Sequence, residues 1–267
     1  MTVAGDPVRE SYDALAPAYD VLTARQNHGA WARLMEQLAV DAGCSGRRLL
    51  DVGCGTGSGL RVMLERGYEL TAVDVSPGML ELARAKLGDG VRLVVADMRR
   101  LPPIGAFDLV WSLGDAVNHV LSDEELESTF RGFARNLAPG GVVAFDVATL
   151  AAFRSLYSSL LVVPDERCTV VLEGREDASL EPGATAEAWI DRLEPSEHPW
   201  WRRIRSVHRQ RHHPRDVLER ALAAAGLTCV AAWGTDGAGS AEQPLDELRH
   251  TKAMYIARAS APEREGR

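Results

Sequence analysis

The stretch "LLDVGCGTGSG" (residues 49–59) constrains this chain more than any other. An apolar run, an acid and then glycines at 53, 55, 57 and 59 describe a buried strand that ends in a tight turn and opens a helix. Glycine reaches positive φ without steric cost, so such a turn lets another group approach its backbone. The helix follows as "GLRVMLERG", where Leu60, Val62, Met63 and Leu64 precede a stop at Gly67.

The same alternation repeats downstream. "ELTAVDVS" reads as a second strand, after which Ser76 caps and Pro77 opens the helix "PGMLELARAKLG". "VRLVVADM" and "AFDLVWSL" are the third and fourth strands. In "SDEELESTFRGFARNL", Ser122 and Glu125 stand at capping-box spacing, and "PGGVVAFDVA" supplies a fifth strand. Five nearly continuous apolar strands with helices between them predict a parallel sheet covered on both faces. Ahead of it, residues 11–40 read as helix interrupted at Pro17. Beyond Ala152, "CTVVLEG", "TAEAWIDRLE" and "WRRIRSVHRQR" read as three strands with too little chain between them for crossover helices, so antiparallel pairing is expected. "HPRDVLERALAAAG" is a helix, "LTCVAAWG" and "KAMYIARA" are the last strands, and "SAPEREGR" is expected to fray.

Ligands of open parallel sheets bind beyond the carboxyl ends of the strands. That rule selects Asp51 to Gly57, Asp74, Asp97, Ser112 to Asn118 and Asp146. Asp74 ends the second strand 19 residues after Gly55, where a carboxylate could accept hydrogen bonds from a ribose diol or simply close a turn. Asp97 at the third strand end could accept from an adenine amino group, with Met98 covering the base; a plain turn is the alternative. A G-x-G-x-x-G dinucleotide pattern fits imperfectly, since Ser58 or Leu60 falls where its last glycine belongs.

Among 267 residues, 46% are hydrophobic and 25% charged, enough for one domain with a large core and a modest extra element. A formal charge of −8 opposes a broad grip on nucleic acid or an anionic membrane. No window approaches the ~18 apolar residues of a membrane helix. The opening lacks a leader's basic and apolar segments, and Cys44, Cys54, Cys168 and Cys229 have no paired spacing; a cytoplasmic protein without zinc or disulfides is expected. His208, His212 and His213 do not form a metal motif, so no metal is assigned.

Together, "LLDVGCGTGSG", "LTAVDVSPGMLELARAKL", "VVADM", "FDLVWSLGDAVNHV" and "LAPGGVVAFDV" resemble the motifs of class I S-adenosylmethionine-dependent methyltransferases, closely over about residues 10–150. The resemblance is to small-molecule N-methyltransferases of the amino-sugar type. It implies an α/β, Rossmann-like, seven-stranded and mostly parallel sheet with helices on both faces and a small antiparallel insertion. The expected divisions are residues 1–40 as a helical cover, 41–152 as the cofactor-binding core, 153–210 as the substrate-side insertion and 211–267 as the helix and strands completing the sheet.

By the same resemblance the cofactor is S-adenosyl-L-methionine. Gly53, Gly55 and Gly57 would surround its methionine portion, Asp51 would help hold the amino-acid end, and Asp74 would take the ribose hydroxyls. Asp97 and Met98 would border adenine, and the backbone of Ser112 and Leu113 would form the neighbouring wall. Cys54, Val75 and Met79 complete the implied contacts. Tyr12 and Tyr19 resemble an amino-terminal cover, and Tyr19 and His28 would also face the acceptor.

A sulfonium donor needs alignment with its acceptor and exclusion of water, and a protonated amine must first lose its proton. His119 is the expected catalytic base, with a helix-surface or structural histidine as the alternative. Asp115, Asn118, Asp146, Trp189, Trp200 and Trp201 are the remaining candidates for the acceptor pocket, each with an ordinary capping or packing role as alternative. The expected partner is a small-molecule methyl acceptor, with nitrogen ahead of oxygen or carbon, and the protein a monomer or homodimer. An NAD-dependent oxidoreductase and a noncatalytic adenosyl-ligand module are the competing functions.

Overall fold

The computed structural model describes residues 5–197, 199–236 and 240–260. All but the first residue of the expected frayed tail lies outside them. Two helices come first, α1 (Pro7–Leu22) and α2 (His28–Asp41). The alternating core follows as β1 (Arg48–Val52), α3 (Leu60–Glu65), β2 (Glu69–Asp74), α4 (Pro77–Leu87), β3 (Val91–Val95), β4 (Phe107–Ser112), α5 (Asp123–Arg135) and β5 (Leu137–Ala148). Next come α6 (Leu150–Leu156), β6 (Leu160–Pro164), β7 (Thr169–Gly174), β8 (Thr185–Pro195) and β9 (Trp201–Arg211), and the described chain closes with α7 (Arg215–Ala224), β10 (Leu227–Thr235) and β11 (Lys252–Ala259).

The large sheet has seven strands in the order β10-β11-β5-β4-β1-β2-β3. Strands β1 to β5 pair in parallel, while β11 is antiparallel to both β5 and β10. The chain turns back between β1 and β4, which opens a crevice at their carboxyl ends. Strand alternation fills both faces: Leu50, Val110, Phe130, Phe133 and Phe145 pack on one side under α5 and α7, Leu49, Leu109, Trp111, Met35 and Met63 on the other under α2 and α3. The sequence-predicted caps are present, with Ser76 Oγ accepting from Met79 N–H and Ser122 Oγ from Glu125 N–H.

Two expectations are corrected. Pro17 does not interrupt α1: the residue sits exposed on the helix, which runs on unbroken to Leu22. The insertion has four strands, not three. Its extra member β6 pairs with β7 at the sheet edge, in the order β6-β7-β8-β9. Its inner face packs Val170, Leu172, Ala186, Ala188 and Ile190 against Leu15 and Ala18 of α1, Phe153 of α6 and Tyr157 just past its end, so α1 lies between the two sheets' territories.

Strand β7 meets the end of α6 closely: a Cβ on Gly174 would sit 2.2 Å from the Tyr157 carbonyl oxygen. Gly174→Ala is expected to lower unfolding free energy by about 1–3 kcal/mol. A urea midpoint equal to that of the unsubstituted chain would show that the strand can retreat without cost.

Candidate active site

The turn after β1 has positive φ at Gly53 (80°), Gly55 (54°) and Gly57 (73°), and the Gly53 and Cys54 amides donate to Val73 O at 2.8 and 3.0 Å. These glycines serve different neighbours. A Cβ on Gly57 would come 2.6 Å from Leu87 Cδ1, so that position is kept bare for helix α4 and does not line the groove. A Cβ on Gly55 would point at the Tyr19 ring, 3.6 Å away, along the groove itself.

Three acids stand at the adjoining strand ends. Asp74 Oδ2 accepts from Gly55 N–H (2.8 Å) and Oδ1 from Ser76 N–H (2.9 Å), binding the loop after β1 to the loop after β2. Burial pushes its pKa up to about 6 against the opposing pull of those two amides. Asp51 is pushed up to about 7, again by burial, with the Trp111 indole beside it opposing. Asp97 caps the turn Met98–Arg100 and accepts from the Arg99 guanidinium on both oxygens, at 2.9 to 3.1 Å.

Helix α1 crosses this rim and is fixed by Asp6, Asp13 and Asp20, seven residues apart and hence on one helix face. Asp6 pairs with Arg99 after β3. Asp13 Oδ1 accepts from Ser76 Oγ (2.6 Å) and Gly78 N–H (3.1 Å) after β2. Asp20 Oδ1 accepts from Thr56 Oγ1 after β1 and from Lys86 Nζ of α4, each at 2.7 Å. The cover is therefore tied to three successive loops.

Under it the groove has two compartments that share Tyr19, Gly53, Leu113 and Gly114. The more apolar one holds Tyr12, Gly55, Asp74, Val75, Asp97, Met98 and His119. The polar one holds His28, Asp51, Cys54 and Asp115, together with Lys252. Asp115 is held in the left-handed region (φ 61°) and forms an ion pair with Lys252. His119 is buried; its Nδ1–H donates to Arg209 O (3.0 Å), and its Nε2 faces the Tyr12 hydroxyl (2.7 Å). Burial lowers its pKa to about 4, with the Arg99 charge in the same direction and the Arg209 carbonyl opposing, so the ring is neutral at pH 7.

Other expected residues are not brought to the groove. Met79 is fully buried in the first turn of α4, and Ser112 Oγ donates to Val52 O (2.8 Å), closing β1 on β4. Asn118 spends its amide on Arg211 O (2.8 Å) and Ala148 N–H (2.9 Å). Asp146 has no exposure and accepts from Trp31 Nε1 (2.5 Å), Gly114 N–H (3.1 Å) and Asp115 N–H (2.8 Å), which makes it the anchor of the loop after β4. Trp189 lies between the guanidinium groups of Arg175 (4.0 Å) and Arg205 (3.9 Å), and Trp200 and Trp201 are 72% and 62% exposed at the turn between β8 and β9. Strand pairing sets these outcomes, since the turn end of that hairpin is its furthest point from Arg211 and the rim.

Residues 49–141 match the protein family described as "Methyltransferase domain". That match covers the glycine turn and strands β1 to β4. The fold of the chain is shared with an S-adenosylmethionine-dependent methyltransferase from Clostridium acetobutylicum (TM-score 0.77, 21% identity, covering 94% of this chain and 99% of that one). It is also shared with the sugar N-methyltransferase KedS8 from Streptoalloteichus (TM-score 0.73, 24% identity, 98% and 97% covered). Among relatives in sequence, the putative methyltransferase YqeM of Bacillus subtilis is 27% identical over 254 residues, 92% of this chain and 98% of its own length. A malonyl-[acyl-carrier protein] O-methyltransferase from Serratia marcescens is 32% identical over 167 residues, 62% of each chain.

The structure also places Lys252 in the groove, which sequence reasoning missed. The signal was there: an antiparallel last strand brings its first residue to the rim where parallel strands bring their last. Arg99 gave no comparable signal.

Because Lys86 and Asp20 are about a third or more exposed, their pair contributes under about 1 kcal/mol. Lys86→Ala is expected to speed amide hydrogen exchange in the last turn of α1 about two- to fivefold while the central strands exchange as before. Unchanged exchange in that turn would show that this tie does not hold the cover.

Proposed function

We propose that the protein transfers a methyl group from S-adenosyl-L-methionine to a small-molecule acceptor, at an amine nitrogen. The observation that carries this reading is the Asp74 carboxylate bound to the Gly55 amide within one groove, at the crevice between β1 and β4. The residues fit an adenosyl sulfonium: the bare Gly55 backbone faces Tyr19, Asp74 offers lone pairs to a diol, Val75 and Met98 offer apolar walls, and Asp51 lies at the polar end. When bound, that donor supplies a methyl group already activated on sulfur. Tyr19 and Tyr12, held by α1, would exclude water from the transfer path.

An amine is favoured by the groups that face the cover. Tyr12, whose O–H donates to the neutral His119, presents its oxygen lone pairs to an acceptor N–H and holds the amine lone pair in one direction. With its pKa near 4, His119 is unsuited to stripping an ammonium proton and suited to orienting an amine that is already neutral. N-methyltransferases among the proteins of this fold agree with that choice.

Titration with S-adenosylmethionine tests the donor site. Asp74 and Asp51 carry raised pKa values of about 6 and 7, so each is ionised above those values and protonated below them. Affinity for the cationic donor is expected to rise as pH increases from about 5.5 to 8. Asp74→Asn is expected to weaken binding about 10- to 100-fold, the loss of hydrogen bonds to a charged group. Normal affinity in a folded Asp74→Asn variant would reject the site.

His119→Ala is expected to lower kcat about 10- to 100-fold with donor affinity unchanged, and the wild-type kcat/KM profile is expected to lack a His119 inflection between about pH 6 and 7. An inflection there that vanishes in the variant would identify an ordinary titrating base instead.

A further inference from the structure

We infer that Gln210, held by the Tyr157 hydroxyl, is a positioning residue that fixes His119 as the neutral Nδ1–H tautomer with its Nε2 lone pair toward Tyr12. Its consequence for catalysis rests on the role proposed above for His119; the orientation itself does not.

The Gln210 amide orientation assigns the donors of the network. Tyr157, buried at the end of α6, donates its O–H to Gln210 Oε1 at 2.8 Å. That bond turns the other end of the amide, Nε2, toward His119 Nε2 at 3.0 Å. An amide N–H can only donate, so the ring nitrogen it faces must be unprotonated. On the opposite edge of the ring the Arg209 carbonyl can only accept, so Nδ1 must carry the hydrogen. Two consecutive residues of β9 thus read the two edges of one imidazole, one through its main chain and one through its side chain.

Reversing the Gln210 amide shows what Tyr157 contributes. A reversed amide would present Oε1 to His119 Nε2, and with the Arg209 carbonyl still in place only the doubly protonated imidazolium would satisfy both edges. Reversal would also set the amide NH2 against Tyr157 and cost its hydroxyl an acceptor in a buried site. Tyr157 therefore holds the amide in the sense that opposes protonation. The other groups facing the ring do not offset this: Tyr12 on α1 and His208 on β9 contribute neutral edges, with ring centroids 5.2 and 6.4 Å away, and the Arg99 charge after β3 acts in the same direction.

The neutral ring leaves Tyr12 free to donate its O–H to Nε2 while its oxygen lone pairs face the groove that both residues line. Gln210 keeps Nε2 partnered when Tyr12 turns its hydroxyl toward an acceptor.

Nitrogen-15 NMR of histidine-labelled full-length protein tests the inference, with His119→Ala used to assign the signal. The unsubstituted protein is expected to show His119 as the neutral Nδ1–H tautomer down to about pH 5. Gln210→Glu places a carboxylate at Nε2 and is expected to raise the protonation midpoint by about 1–3 pH units. Tyr157→Phe frees the amide to reverse and is expected to raise it by about one unit, a tenfold gain in proton affinity. An Nε2–H tautomer in the unsubstituted protein, or an unmoved His119 midpoint in both folded variants, would overturn the inference. If the midpoints move as expected while methyl transfer keeps its rate and pH profile, Gln210 orients the ring as stated and the proposed role of His119 in transfer fails.

Discussion

The carboxylate of Asp74 is the joint on which this architecture turns. A turn with three positive-φ glycines has little stiffness of its own, and here it is held from outside, by β2 carbonyl Val73 O on one side and by Asp74 on the other. The same carboxylate accepts from Ser76, whose hydroxyl caps α4 and also donates to Asp13 of the cover. One acid therefore sets the relative position of glycine turn, helix start and α1. Its raised pKa follows from this placement, since burial acts against the charge while backbone amides support it.

The electrostatics around the rim pull in opposite senses. His119, His208, His212 and His213 are buried with pKa values lowered to about 4, 3, 4 and 4, each mainly by desolvation. The unfolded chain gains protons at these rings below the ordinary histidine value while the folded chain does not, so acid works against the fold from about pH 6.5 downward. Asp51 and Asp74 do the reverse: their raised values mean that the folded chain keeps protons the unfolded chain has released, a contribution lost as pH rises through about 6 to 7. The rim is thus compensated in mildly acidic solution, and a cationic ligand at the acids would shift that balance toward higher pH.

Much of the sheet was legible because each strand of the core is a short apolar run closed by an acid or glycine, and because Ser76-Pro77 and Ser122 mark helix starts by local chemistry. The rim acids were legible by position, and Asp51, Asp74 and Asp97 do reach the groove. Asp146 and Asn118 occupy equally suggestive positions yet turn inward, because the loop after β4 needs acceptors and donors for Gly114, Asp115 and Ala148 that no periodicity reveals. The three tryptophans were misplaced for a related reason: strand alternation fixes a face, whereas only the register of β8 against β9 fixes distance from the rim. Strand β6 escaped because its apolar residues lie largely exposed at a sheet edge, without the alternation of a half-buried strand.

Strand β11 enters the sheet from the groove side, against the direction of its neighbours, so Lys252 comes to the polar compartment as the first residue after a connecting segment. The glycine turn takes its holding bonds from Val73 and Asp74 rather than from that segment. Lengthening or shortening it would re-aim one ammonium group at the compartment while leaving Asp51 and Asp74 where they are. The seventh strand is in this sense a separately adjustable gatepost, through which charge at the entrance could be retuned during divergence without refolding the floor.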